Sequence, residues 1–187
     1  MMTNLKSMSQ AGESGNGRDK DELLLVKGCL HCIGQCDQLL KLVSQDVYTT
    51  ASSGNSSIGA HTRHILDRFH CFFAGLQDGR VDYDDRKRDK SIENNLEAAT
   101  FALASVARRV ENLEPGNFGE DEILVRESVF HEGPPISITS TIDRELMGLI
   151  THTTHHLAII AIIAKSFGYQ MEGDFGKAAS TIVFERT

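Results

Sequence analysis

The 187-residue sequence lacks the features that mark membrane and secreted proteins. Its longest uninterrupted apolar run, Leu157–Ala164, is far shorter than the roughly 20 residues that a helix needs to cross a bilayer. Its first twenty residues contain no apolar segment of the kind found in secretory signal peptides. We therefore expect a cytoplasmic protein that is not inserted in a membrane.

The sequence also lacks a basic patch, which argues against a nucleic-acid partner. The net charge is −7, and binding to a phosphate backbone requires a footprint of Lys and Arg. The densest charged run, residues 78–90, holds five acidic and five basic residues and is locally neutral. We expect a solvated loop whose charges pair with one another. The alternative is a loop that folds back over the domain and holds an anionic substrate through Tyr83, Asp84, Arg86 and Arg88.

Cysteines are few, and no second CxxC pair is present to complete a Cys-type metal site. Cys29, Cys32 and Cys36 are spaced by three and four residues, which puts them on one stripe of a helix. With His31 they could form a thiolate metal site. Because buried cysteine behaves as a small hydrophobe, we favour packing in the core, and we expect Cys71 to be structural as well.

The pattern along the chain predicts one domain at residues 20–187, preceded by a polar, flexible tail at residues 1–19. Apolar residues recur at helical spacing in four segments, approximately 21–43, 57–78, 91–114 and 141–167. Alternating segments around HEGPP, between residues 122 and 141, predict a β-hairpin, and STIVF near the C-terminus reads as a short strand. We therefore expect an all-α fold, a four-helix bundle with a small β-hairpin in the crossover before the last helix.

Histidines at helical spacing are the strongest chemical signal in the sequence. His152 and His156 lie four residues apart, so a helix places both on one face. A catalytic zinc site usually has three protein ligands, and the third would come from another helix. His61 and His64 in the second predicted helix are the two candidates, and from the residues alone both remain open. The competing interpretation is a set of core histidines that hydrogen-bond without a metal.

SIGAHTRHILDRF, followed some ninety residues later by ELMGLITHTTHHLAII, resembles the DinB/YfiT-like superfamily over residues 20–187. Members are four-helix bundles that hold a divalent metal through a histidine of the second helix and an HxxxH pair of the fourth. The resemblance implies His64, His152 and His156 as the ligands, since His64 begins the matching H-I-x-D run. By helical geometry His61 lies closer to the apolar stripe, so it stays the alternative to His64.

The resemblance implies zinc or nickel as the metal, with iron or manganese as alternatives. It also implies an enzyme with a small-molecule substrate. Some members transfer groups with low-molecular-weight thiols and others are regarded as hydrolases, and between these we favour a thiol S-transferase. Relatives are often homodimers, although no apolar stripe in this sequence marks an interface. The alternative function is a non-catalytic bundle that binds a structural metal, or none, and works through partners.

Overall fold

The computed structural model describes residues 14–51, 56–114, 118 and 122–187. Within these ranges the chain forms seven helices and three strands. They are α1 (Ser14–Leu42), α2 (Gln45–Thr49), α3 (Ile58–Gly75), β1 (Arg80–Asp82), α4 (Lys90–Asn94), α5 (Leu96–Glu111), β2 (Glu122–Glu127), β3 (Ile136–Thr141), α6 (Ile142–Ser166) and α7 (Ala179–Glu185).

The four long helices share one core. Helix α1 packs against α5 and α6, and α3 packs against the same two helices. Each contributes buried apolar side chains at helical spacing, among them Leu39, Phe69, Leu103 and Leu149. Burial of such stripes is the main stabilising term for helices of this length. The core therefore fixes how α3 faces α6, which decides the geometry of the candidate site.

Local sequence signals set the start of α3 and of α6. The Ser57 hydroxyl accepts a hydrogen bond from the backbone N–H of Ala60, and the Thr141 hydroxyl accepts one from the N–H of Arg144. Both are N-cap interactions, which satisfy backbone donors that a helix leaves unpaired in its first turn. The predicted starts of these two helices are confirmed.

The expectation of an all-α four-helix bundle is wrong. The described part of the chain contains seven helices and a three-stranded mixed sheet in the order β1-β2-β3. The predicted hairpin is confirmed, because β2 and β3 pair antiparallel. Strand β1 adds to it in parallel, with Val81 opposite Val125. Strand β1 lies within the charged run 78–90. The many charged residues of this run hide the short alternation of buried and exposed positions that is typical of a strand.

Three further elements differ from the sequence prediction. The segment 91–114 forms two helices, because Asn95 has an extended backbone and its side chain caps α5 by accepting from the N–H of Ala98. Helix α2 was not predicted. The segment STIVF lies in α7 instead of a strand. Of the predicted tail, residues 1–13 lie outside the described residues, and residues 14–19 belong to α1.

The segment between α6 and α7 packs against the long helices. Gly176 has a φ of +69°, and a Cβ at this position would come within 2.7 Å of the Ala158 nitrogen in α6. Only glycine accommodates both this backbone angle and so close an approach. Its N–H donates to the side chain of Gln35 in α1 at 3.0 Å. The C-terminal segment is thus anchored to both α1 and α6.

Helix α6 is long and apolar enough, by length and composition, to cross a membrane, and among the described helices it alone meets that test. The prediction from the longest apolar run had considered only eight of its residues. Core helices of soluble proteins pass the same test. Here the helix packs against α1 and α3.

Candidate metal centre

Three histidines converge between α3 and α6. The metal-ligating atoms of His64, His152 and His156 all lie within 4.8 Å of one another. Their ring centroids are 4.8 Å apart for His64 and His152, 4.7 Å for His64 and His156, and 4.5 Å for His152 and His156. The structure therefore brings together the three residues that the sequence resemblance implies as ligands.

The geometry follows from helical spacing and from the packing of two helices. His152 and His156 are one turn apart on α6, so their side chains project from the same face. Packing of α3 on α6 then brings His64 opposite this pair. All three side chains are half-buried, which shields them partly from water.

His61, the alternative ligand, lies beside the cluster. Its Nδ1 atom is 3.0 Å from the Nδ1 atom of His156, so one of these two nitrogens carries the proton that the other accepts. The distance places His61 against the back of the His156 ring, where it can orient that ring. Two other histidines near the cluster in sequence lie outside the ligand group, since His155 is exposed and His70, six residues after His64, points from another face of α3.

The clustered imidazoles are held in their neutral form. Burial, followed by the neighbouring His156, lowers the pKa of His152 to about 3. Burial and the neighbouring His64 lower the pKa of His156 to about 4. Burial also lowers the pKa of His64, and the positive charge of Arg86 contributes next. Since only neutral imidazole offers a lone pair to a metal, the cluster is ready to ligate at neutral pH.

One nitrogen of the cluster lacks the hydrogen-bond partner that a buried polar atom normally has. Nε2 of His152 is fully buried and has no hydrogen-bond partner among the described residues. Leaving a buried polar nitrogen without a partner costs free energy. Three neutral nitrogen donors form a donor set that zinc and nickel accept, and zinc-imidazole bonds are about 2.0–2.1 Å long. The residues present therefore fit a divalent ion.

An ion-pair network covers the side of α3 next to His64. Arg63 contacts Asp67 at 2.5 Å and Glu93 at 2.9 Å. Asp67 is only 2% exposed, so it is a buried member of this network. Its position four residues from Arg63 is the signal that predicts this pairing. Asp67 thus neutralises Arg63 and does not contact the histidine cluster directly.

A second polar group lies at the end of the cluster nearest β1. The Tyr83 hydroxyl donates to Glu145 at 2.7 Å, and Ser140 donates to the other oxygen of the same carboxylate at 2.6 Å. Arg68 lies over the Tyr83 ring at 3.6 Å and pairs with Glu127. The position of Glu145 in the first turn of α6 by itself indicates only a favourable interaction with the helix dipole. Its spacing of seven residues from His152 could have indicated that both share one face of α6.

The charged run 78–90 is only partly solvated, so the expectation of a solvated loop is wrong for its first half. Val81 and Tyr83 are buried. Of the residues named for an anionic substrate, Asp84 accepts from Ser128 at 2.7 Å and Arg88 is exposed. Arg86 is half-buried beside α3. The run thus contributes Tyr83 and Arg86 to the surroundings of the histidine cluster.

The three cysteines of α1 lie on the other side of α6. Cys29, Cys32 and Cys36 are 0%, 3% and 2% exposed, and all three are free thiols, as is the buried Cys71. The prediction that they pack in the core is confirmed. Cys29 and Cys32 each approach a carbonyl of α6 at 3.9 Å.

Comparison of the chain with protein-family models, curated protein sequences and solved structures found no match.

Proposed function

We propose that the protein binds one divalent metal ion through His64, His152 and His156, and that it is a metal-dependent enzyme acting on a small molecule. The observation that carries the proposal is the convergence of these three histidines from two helices, with their ligating atoms within 4.8 Å of one another. Zinc or nickel suits the three nitrogen donors best. The resemblance of the same residues to the ligands of the DinB/YfiT-like superfamily supports the assignment.

The protein's own side chains prepare the site in two ways. Burial and nearby positive charges keep the imidazoles neutral, so that no proton has to leave before a metal binds. The contact between His61 and His156 fixes the orientation of one ligand ring. Both effects reduce the cost of assembling the site.

The metal's contribution would be to lower the pKa of a bound water or thiol and so supply a nucleophile at neutral pH. Three neutral ligands leave the charge of the ion uncompensated, which favours an anionic fourth ligand. Between the two nucleophiles we favour a thiol, which makes the protein a thiol S-transferase. With water as the nucleophile, the same residues would serve a hydrolase.

Metal content tests the ligand assignment. We expect the purified protein to bind about one equivalent of zinc or nickel. His64→Ala and His152→Ala should each weaken metal binding at least about 100-fold, because only two of the three imidazole ligands remain. His155→Ala removes an exposed neighbouring imidazole and serves as the matched control, which should bind like the wild type. Unchanged metal content in both ligand variants would show that the assignment is wrong.

Turnover tests the enzyme class. The metal-loaded protein would be assayed with glutathione and other low-molecular-weight thiols against electrophilic substrates, and separately with ester and amide substrates in the absence of thiol. We expect thiol-dependent turnover that the His152→Ala variant lacks. Ester or amide cleavage without thiol would indicate the hydrolase. Tight metal binding without turnover in either assay would favour a non-catalytic role.

A further inference from the structure

Arg86 is a half-buried guanidinium without a partner. Its Nε atom is fully buried and makes no hydrogen bond within the described residues. Among the ion pairs of that same part of the chain, none includes Arg86. Burying a charged donor group without a partner costs free energy, because the group loses hydration and gains no hydrogen bond. A ligand that pairs with Arg86 would offset this cost.

The other cations near the cluster are already paired. Arg63 contacts both Asp67 and Glu93, and Arg68 contacts Glu127. Their positive charges are therefore largely neutralised inside the protein. Arg86 differs from both, because it keeps its full charge and all its donor capacity for a group from outside.

The fold holds Arg86 next to the face of α3 that carries His64. His64, Arg68 and Cys71 are spaced by four and three residues, so they share one face of α3. The Cys71 thiol donates to the backbone carbonyl of Asp85 at 3.5 Å, which fixes the chain next to this face one residue before Arg86.

The acidic groups around Arg86 do not neutralise it. Asp84 accepts a hydrogen bond from Ser128, and Asp85 is exposed. Glu145, from the facing helix α6, accepts from Tyr83 and from Ser140. The described surroundings of the histidines thus contain one cation whose charge no neighbouring carboxylate contacts.

We propose that Arg86 binds a carboxylate or another oxyanion of the substrate, so that the substrate is a small anion whose reacting group lies at the three histidines. The guanidinium presents several N–H donors in a planar fork that matches an oxyanion. This inference rests on the proposed metal site, and it adds the charge class of the substrate and the residue that selects it.

Two thiol probes test the inference without relying on turnover. The protein would be loaded with Co(II), whose absorption spectrum reports both binding of the ion and ligation of a thiolate. It would then be titrated with 3-mercaptopropionate and with 3-mercaptopropionamide, which carries the same metal-binding group without the negative charge. For each protein, the ratio of the two dissociation constants measures the preference for the anion.

We expect Arg86→Gln to reduce this preference about tenfold or more, since the substitution removes a charge-assisted hydrogen bond to the carboxylate. Arg86→Lys keeps the charge and should retain much of the preference. Arg88→Gln removes an exposed charge from the same loop and should leave the preference unchanged. Comparison of ratios between variants cancels the intrinsic difference between the two thiols.

The outcomes separate this inference from the proposed function. If Co(II) binds and the preference is the same in the wild type and in Arg86→Gln, the anion site is wrong while the metal site stands. An equal loss of preference in Arg88→Gln would indicate a general field effect and would also overturn the role of Arg86. If Co(II) does not bind the wild type at the histidines, the proposed function fails, and this inference fails with it.

Discussion

Two groups of metal-ligating residue types lie on different sides of α6, and only one of them forms a cluster. His152 and His156 face α3, where His64 completes a group. On the other side, Cys29 and Cys32 of α1 approach carbonyls of α6 without any second set of ligands opposite them in the described residues. Ligand spacing on a single helix is therefore not sufficient, and a second helix has to supply the missing donor.

The two groups also differ in whether burial leaves their side chains able to ligate a metal. Burial raises the pKa of Cys29 and Cys36 to about 12, so these thiols stay protonated and are poor metal ligands. Burial lowers the pKa of His152 to about 3, which leaves a neutral imidazole and a free lone pair. The same physical cause disables one group as ligands and prepares the other.

The largest expected difference between the two regions is in stabilisation by metal. Zinc at about 1,000 times its dissociation constant should stabilise the wild type by about 4 kcal/mol, because the ion binds the folded chain. The stabilisation should fall to about 1.4 kcal/mol or less in His64→Ala, because binding about 100-fold weaker leaves zinc at only about 10 times the dissociation constant. It should persist in Cys32→Ala, as measured by thermal unfolding with and without zinc. The comparison fails if the cysteine variant loses the stabilisation and the histidine variant keeps it.

A smaller effect should come from making the cysteine stripe polar. Cys29→Ser places a hydroxyl at a position that is 0% exposed, and we expect a loss of about 1–2 kcal/mol in the free energy of unfolding. Cys29→Ala adds no polar group and serves as the control for lost volume. Urea unfolding gives the stability and metal analysis gives the zinc content, which should not change. Reduced zinc content in a folded Cys29→Ser protein would assign the thiol a ligand role.

The pH dependence of the metal-free protein should also separate the two regions. The unfolded chain protonates His152 and His156 near pH 6.5, whereas the folded chain resists protonation until about pH 3 and 4. Stability present at pH 7 should therefore fall as the pH drops below 6.5. The raised pKa of Cys29 has the opposite consequence, since the unfolded chain ionises first and stability should fall above about pH 9.

Thermal midpoints between pH 4.5 and pH 10 measure both limbs of this profile. His152→Gln should flatten the acid limb, and Cys29→Ala should flatten the alkaline limb. His131→Gln, at an exposed position of the hairpin, should change neither. An acid limb that keeps its slope in His152→Gln would mean that other groups govern it.

Much of the candidate site followed from the sequence, because its parts are local. The i, i+4 spacing of His152 and His156 fixes a shared helix face, and Thr141 marks where that helix begins. The choice between His61 and His64 could not be made from spacing. It depends on how α3 is rotated against α6, which is decided by the packing of the whole core.

The sequence was less informative where short elements depend on distant partners. Strand β1 exists because Val81 is buried and pairs with β2, while the residues around it are charged. Helix α7 forms from a β-branched segment that would favour a strand by propensity alone. That Arg86 has no ion-pair partner among the described residues, unlike Arg63 and Arg68, can likewise be recognised only from the structure.

Zinc X-ray absorption measures the central claim most directly, because it distinguishes nitrogen from sulfur ligands in the intact protein. The account predicts about three imidazole nitrogens at about 2.0–2.1 Å and no sulfur scattering at about 2.3 Å, with the imidazole signal reduced in His152→Ala. A sulfur shell in thiol-free buffer, or a spectrum that the His152→Ala substitution leaves unchanged, would contradict it.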